Sequence, residues 1–318
     1  MALAPPAAWS QAQPAPASSE ALPPAVGLPQ PFPLVFGIFD LSGVRTFPAT
    51  VAGTAGTMGS TFLTGRIAPV IRVNPRLYLS VPLDGSISFY DFHGDPGLLP
   101  TPTGGAPWDQ VRTYALGLQG RYRVDDRWVL LGEVNVASAG ARGAAFEDTL
   151  SVGATFGASY RFGPDLTVGV LLTVQTRLAR SLFVLPVPTL EWVLPFDDRR
   201  WRLVAGGLRI GPGRTAGLGL AYSPVQQLSL HAGLVLVGLG REFRLASDSP
   251  IPDGVGRDSA LPLLAGIDWR PTRLLHLSLW GGVSVQRSLA VLDGEGNIVR
   301  ERDVTPAPIL GGTIALGL

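Results

Sequence analysis

The sequence predicts an all-β fold, a transmembrane antiparallel up-and-down β-barrel of about fourteen strands, with twelve as the alternative count. Three observations predict it. Apolar residues alternate with small or polar ones over most of the chain from Arg66 onward. Tight polar turns interrupt the alternation and are themselves separated by longer, irregular connections. No uninterrupted apolar stretch approaches the roughly twenty residues that a membrane helix needs. The turns are Asn74-Pro75, Asp125-Asp126, Gly163-Pro164-Asp165, Asp197-Asp198, Ser223-Pro224 and Arg270-Pro271. Short turns at one rim and longer loops at the other fit a barrel whose ends face different compartments.

Composition gives the same answer. The 318 residues are 46% hydrophobic and only 15% charged, with a mean hydropathy of +0.27. A barrel accommodates so apolar a chain without long apolar runs, because each strand turns only every second residue to lipid. Forty Gly, with many Ser, Thr and Ala, suit the positions between. The absence of cysteine excludes disulfides, thiol catalysis and thiolate metal sites. A net charge of +1 implies no nucleic-acid partner. All 25 basic residues are Arg, as a GC-rich coding sequence would produce.

Residues 1–33 are rich in Pro and Ala and cannot form a packed element. Ser10-Gln11-Ala12 would suit signal peptidase, so this segment reads either as a signal-peptide remnant or as a plain disordered tail. The barrel is assigned to residues 34–318. Period-2 alternation places strands at 34–45, 61–73, 76–90, 110–123, 127–138, 148–162 and 165–178. The second half continues with 184–195, 201–211, 213–222, 227–243, 260–270, 274–290 and 305–318.

Individual strands carry the pattern plainly. Leu150, Val152, Phe156 and Tyr160 alternate with Ser151, Gly153, Thr155 and Ser159. Leu166, Val168, Val170 and Leu172 alternate with Thr167, Gly169 and Thr173, and Tyr114, Leu116 and Leu118 with Thr113, Gly117 and Gln119. A soluble β-sandwich or propeller would also alternate. Trp128, Tyr160, Trp192, Trp201 and Trp269 favour the barrel, because all lie near the short turns, where a girdle of amphipathic rings meets the membrane interface. Trp280 departs from this group, since parity turns it inward.

Longer runs carry a resemblance. They are Tyr114 through Leu131, Tyr160-Arg161-Phe162-Gly163-Pro164-Asp165-Leu166-Thr167-Val168-Gly169, Leu190-Glu191-Trp192 and Thr305-Pro306-Ala307-Pro308. Over 69–318 the chain resembles an uncharacterised, porin-like bacterial family of outer-membrane β-barrels. The resemblance implies a bacterial outer-membrane location, with membrane lipid and the outer-membrane assembly machinery as partners. It implies no particular activity. Leu318 departs from the terminal aromatic that such barrels usually carry.

Inward parity collects charges of both signs: Arg121, Arg123, Glu133, Arg161, Arg177, Glu191, Arg202, Asp268 and Arg270. They read either as the lining of a passage for small polar or anionic solutes, or as ion pairs that stiffen the wall. Inward Gly, Ala, Ser and Thr leave volume free, and the loops at 91–109 and 245–259 are the candidate constrictions. A structural or surface-binding barrel without conductance is the alternative.

No catalytic, cofactor or metal site is assigned. Asp91-Phe92-His93-Gly94-Asp95 and the loop acids Asp248, Asp253, Asp258, Asp293 and Glu295 are too unspecific for a metal centre. The loop 291–304 reads as a hairpin turn. His231 beside Ser229 and His276 beside Ser278 are the pairings within a strand for an outer-membrane hydrolase, with a cross-strand pairing as the alternative. Residues two apart on a strand lie about 6–7 Å apart, too far for direct proton transfer.

Overall fold

A computed structural model describes residues 35–100, 105–179, 182–208 and 215–317. The Pro/Ala-rich segment, the predicted junction between the strands 201–211 and 213–222, and Leu318 lie outside these residues. The chain forms one closed antiparallel barrel of fourteen strands. They are β1 (Val35–Thr50), β2 (Thr57–Arg72), β3 (Leu77–Ser80 and Leu83–His93), β4 (Gln110–Arg123), β5 (Trp128–Ala141), β6 (Leu150–Arg161) and β7 (Leu166–Thr176). The second half comprises β8 (Leu182–Val193), β9 (Trp201–Leu208), β10 (Thr215–Val225), β11 (Leu228–Arg244), β12 (Val255–Trp269), β13 (Leu275–Leu292) and β14 (Ile298–Val304 and Ala307–Gly317).

Two of these strands are interrupted, and both breaks coincide with proline. Pro82 divides β3 and Pro306 divides β14, because each lacks the N–H that the ladder needs. Both halves of β3 still pair with β2 and β4. Across the break Gly117 N–H donates to the Pro82 carbonyl at 2.9 Å. β1 pairs with β14 from Ile38↔Gly317 to Thr46↔Ile309, which closes the sheet.

Alternation sets the two surfaces. Leu116, Leu118, Val134, Val136, Val152, Phe156, Val170 and Leu172 are exposed, while Thr155, Thr173 and Glu133 on the opposite parity are buried. A continuous exposed apolar band is unfavourable in water and natural against lipid. At the short-turn rim Trp128, Trp192 and Trp269 lie on this outer surface. The Trp128 and Tyr160 rings are 4.8 Å apart, as are those of Trp201 and Tyr222. Arg127 donates to the Tyr160 hydroxyl at 3.1 Å, and Trp201 Nε1 donates to Asp197 at 3.2 Å, so the polar tips point toward the aqueous side.

Side-chain oxygens close several of the short turns. Asp125 accepts the N–H groups of Trp128 and Arg127, each at 2.7 Å, which holds its carboxyl below the usual range. Asn74 caps the β2–β3 turn in the same way through the N–H groups of Arg76 and Leu77.

The long-loop end differs from a simple cylinder. β1, β2, β11 and β13 run 16, 16, 17 and 18 residues, against 12 and 11 for β6 and β7. Above the short strands the end of β11 meets the end of β5, with Arg244 beside Gly140 in a parallel bridge. Ser247 N–H donates to the Gly143 carbonyl at 3.2 Å, and Arg244 Nε to the Asp148 carbonyl at 3.1 Å. β5 and β11 are not neighbours in the wall below, so these contacts close β1–β5 and β11–β14 into a narrower collar.

The collar has its own hydrophobic core of Val51, Met58, Tyr90, Leu98, Trp108, Phe243, Leu289 and Val291. Trp108 is the hub, meeting Tyr90, Phe92 and Phe243 edge-on at 5.9, 5.9 and 4.9 Å. Leu178 and Ala179, after β7, pack against the outer side of the collar on Val255, Ala290 and Leu292.

Four strands therefore extend further toward the long loops than the alternation indicates. β1 continues to Thr50, β2 starts at Thr57, β12 starts at Val255 and β14 starts at Ile298. The segment 291–304 contains a turn only at Asp293–Asn297, where Asp293 accepts the N–H groups of Glu295 and Asn297, each at 2.9 Å. The rest of that segment is strand, because the collar supplies β13 as a partner.

Candidate functional site: the lumen

Register places the charged side chains in separate groups. Arg121 and Arg123 leave β4 opposite Leu131 and Val129, and Arg161 leaves β6 opposite Thr167, all near the short-turn rim. Arg202 pairs with Glu191 at 3.3 Å, both about half exposed. Arg270 lies in the β12–β13 turn, where its N–H donates to the Gln227 carbonyl at 2.7 Å. Glu133 is buried midway along β5, in line with Gln119 and Thr155. Arg177 stands at the other end, 3.3 Å from Glu242 and over the Phe183 ring at 4.0 Å. Glu242 also holds Arg257 at 2.7 Å.

Asp268 is buried between two imidazoles. His231 Nδ1 and His276 Nε2 each lie 3.2 Å from one of its oxygens. Each imidazole commits one nitrogen to Asp268, and the Ser229 hydroxyl is engaged with Ser223 at 2.8 Å. His93 lies 3.3 Å from Asp91 with both side chains exposed. Among the described residues no group of three metal-ligating side chains assembles.

Just above this level the lumen narrows. Trp280 turns inward and is 1% exposed, packed with Val235, Leu264 and Ile309. Glycines make its place. A Cβ on Gly311 would meet the indole at 2.2 Å, and one on Gly266 would meet the Trp280 Cβ at 2.6 Å. Only the bare backbone of β12 and β14 admits a ring of this size.

Between Trp280 and the collar core lies a second buried cluster that the sequence reading did not assemble. Arg287 donates to both Asp258 oxygens, at 2.9 and 2.6 Å, and to the Ser60 hydroxyl at 3.2 Å. The Tyr90 hydroxyl donates to Asp258 at 2.9 Å. Arg241 stacks over the Phe62 ring at 3.9 Å. Together they line a partly open cavity of about 70 Å³, with Val44, Leu264, Trp280 and Ile309 also in its wall.

Two of these residues have a different place from the one the sequence suggested. Asp258 is not a loop acid but a β12 residue opposite Arg241. Arg287 faces inward because a bulge pairs Pro262 with Ser284 and Leu261 with Gln286, leaving Val285 unmatched and reversing the parity of β13. The expectation of an open lumen lined by small residues holds for neither this level nor the collar. The two segments named as constrictions supply Leu98, Trp108, Leu245 and Ile251 to the collar core.

No protein-family model matches the chain, and no curated protein matches it. Solved structures do. A deletion mutant of the TodX monoaromatic hydrocarbon channel is 11% identical, with a TM-score of 0.54 over 91% of this chain and 90% of that one. An outer-membrane channel from Pseudomonas putida F1 is 12% identical, with a TM-score of 0.48 over 94% of this chain and all of that one. The first match shows the fold: an outer-membrane β-barrel, as the sequence resemblance implied.

Proposed function

We propose that this chain is an outer-membrane channel for small polar or anionic solutes, held shut at its long-loop mouth by the collar core. The observation that carries the reading is the contrast between the two halves of the lumen. Toward the short turns the wall is fourteen strands wide and carries Arg121, Arg123, Arg161, Arg202 and Arg270 against Glu133, Glu191 and Asp268. A wall of that circumference encloses more than side chains alone fill. The arginine excess favours anions entering from that side. Toward the long loops the way is barred by packed aromatic rings, so passage requires the Trp108 and Phe243 contact to open. A structural neighbour is itself named a channel, which supports passage as a use of this wall and leaves the solute undetermined. In this setting the partners are membrane lipid around the apolar band and the outer-membrane assembly machinery.

Planar-bilayer recording of the detergent-purified, heat-modifiable protein tests the reading. Infrequent discrete openings with anion preference support it, as does a rise in open time when Trp108 is replaced by Ala. A folded barrel that stays silent in both forms contradicts it, and favours a structural or surface-binding role.

A further inference from the structure

The cavity between Trp280 and the collar is charged, and its charges do not cancel. Asp258 is committed to Arg287 by two hydrogen bonds, with Tyr90 as a third donor. Arg241 brings a second guanidinium to the same wall, held over Phe62, and among the described residues no carboxylate forms an ion pair with it. Two arginines against one aspartate leave one positive charge unbalanced beside the cavity. A half-buried charge without a counter-ion of its own is costly, and a single negative charge in the cavity would reduce that cost.

The geometry points to a binding site for a short-chain monocarboxylate in this cavity. Polarity fixes the orientation. Arg241, Ser60 and Ser88, with the paired Asp258, Arg287 and Tyr90, supply its polar lining, while Val44, Leu264, Trp280 and Ile309 supply the apolar lining. The carboxylate meets Arg241 and the Ser60 and Ser88 hydroxyls, and the alkyl end lies against Trp280. A bare halide would leave the apolar side unfilled, and a dianion would overcompensate the charge.

Volume limits the ligand. The cavity measures about 70 Å³, so it takes a ligand of only a few heavy atoms. Propionate is among the smallest carboxylates that also carry an alkyl end. An engineered apolar cavity that takes benzene measures about 150 Å³. An aromatic acid therefore does not fit without movement of the wall. The biological use of the site, as a resting place along the lumen, rests on the channel reading; the site itself rests on the cavity and its charges.

The test is an equilibrium titration of the full chain, folded into lipid nanodiscs, with sodium propionate at constant ionic strength. Calorimetry and tryptophan fluorescence serve as readouts, with propionamide, chloride and octanoate as comparison ligands. Saturable binding of one propionate per chain is expected, with butyrate weaker and octanoate weaker still. Arg241→Gln should weaken binding at least tenfold. Ala260→Leu, which fills the cavity, should abolish it while the barrel remains heat-modifiable. Equal binding of propionamide, unchanged affinity in Arg241→Gln, full displacement by equimolar chloride, or no saturable binding would each overturn the assignment. Bilayer recording of the same preparation separates the two proposals. Conductance without propionate binding removes the site alone, and binding in a barrel that never conducts removes the channel alone.

Discussion

Replacing Asp258 by Asn should destabilise the barrel far more than the loss of one surface ion pair would. The carboxylate accepts three hydrogen bonds, two from Arg287 and one from Tyr90, and both charged side chains are at most one-tenth exposed. Asn keeps the shape but offers a single acceptor oxygen, and its amide would point a donor at a donor. Arg287 would keep one bond to the Asn oxygen and its contact with Ser60, beside Arg241, in a wall without a neutralising charge. Breaking a buried pair from one side costs about 3–5 kcal/mol. Removing both partners is different. A double variant with Arg287→Met and Asp258→Leu leaves no orphaned charge of that pair, and should recover most of the loss. Urea unfolding from detergent micelles, followed by tryptophan fluorescence and the heat-modified gel shift, gives the three stabilities. A loss below about 1 kcal/mol for Asp258→Asn would refute the reasoning. So would a double variant no better than the single one.

Trp108→Ala removes the hub of the collar and three edge-on ring contacts, so about 3–5 kcal/mol of stability should go with it, measured by the same unfolding assay. Gly311→Val places a Cβ 2.2 Å from the Trp280 indole and should cost about 1–3 kcal/mol, with part of that returned by Trp280→Ala. Glu191→Gln breaks a half-exposed pair and should change stability by no more than about 1 kcal/mol. Its effect should appear instead as stronger anion selectivity at low salt. Asp293 has its carboxyl depressed by the Asn297 side-chain amide first and by backbone N–H groups next. A depressed folded pKa contributes order above the unfolded value and loses it as pH falls through the folded one. The Asp293–Asn297 turn should therefore exchange its amide hydrogens faster only below about pH 4, and Asp293→Ala should show the fast rate at neutral pH.

How much of this was legible in the sequence divides by level. All fourteen strands were readable, because lipid on one side and a polar interior on the other force a period of two on each strand. Leu116 and Leu118 are exposed where that period places them, and Trp280 turns inward as parity requires. The collar was not readable. There the outer face no longer meets lipid, so the alternation weakens, and acids such as Asp258 and the segment 298–304 look like loop. Arg287 was hidden by the unmatched Val285, since a single bulged residue reverses the faces of everything after it. The cavity itself joins Ser60 to Arg287, 227 residues apart, and no local pattern carries such a pairing. The charged residues that parity collected do not form one lining either: Asp268 goes to two histidines, Arg202 to Glu191 and Arg177 to Glu242.

The central claim is that a fourteen-stranded wall surrounds a lumen sealed at one mouth by a packed collar core. Single-channel recording tests it most directly, comparing the native chain with a Trp108→Ala, Phe243→Ala double variant in the same bilayer at the same salt. The account predicts a native protein that is closed for most of the record, and a variant with long, anion-selective openings. A native protein that is steadily open would show that the collar is no seal. A folded variant as silent as the native chain would show that the lumen is not a passage.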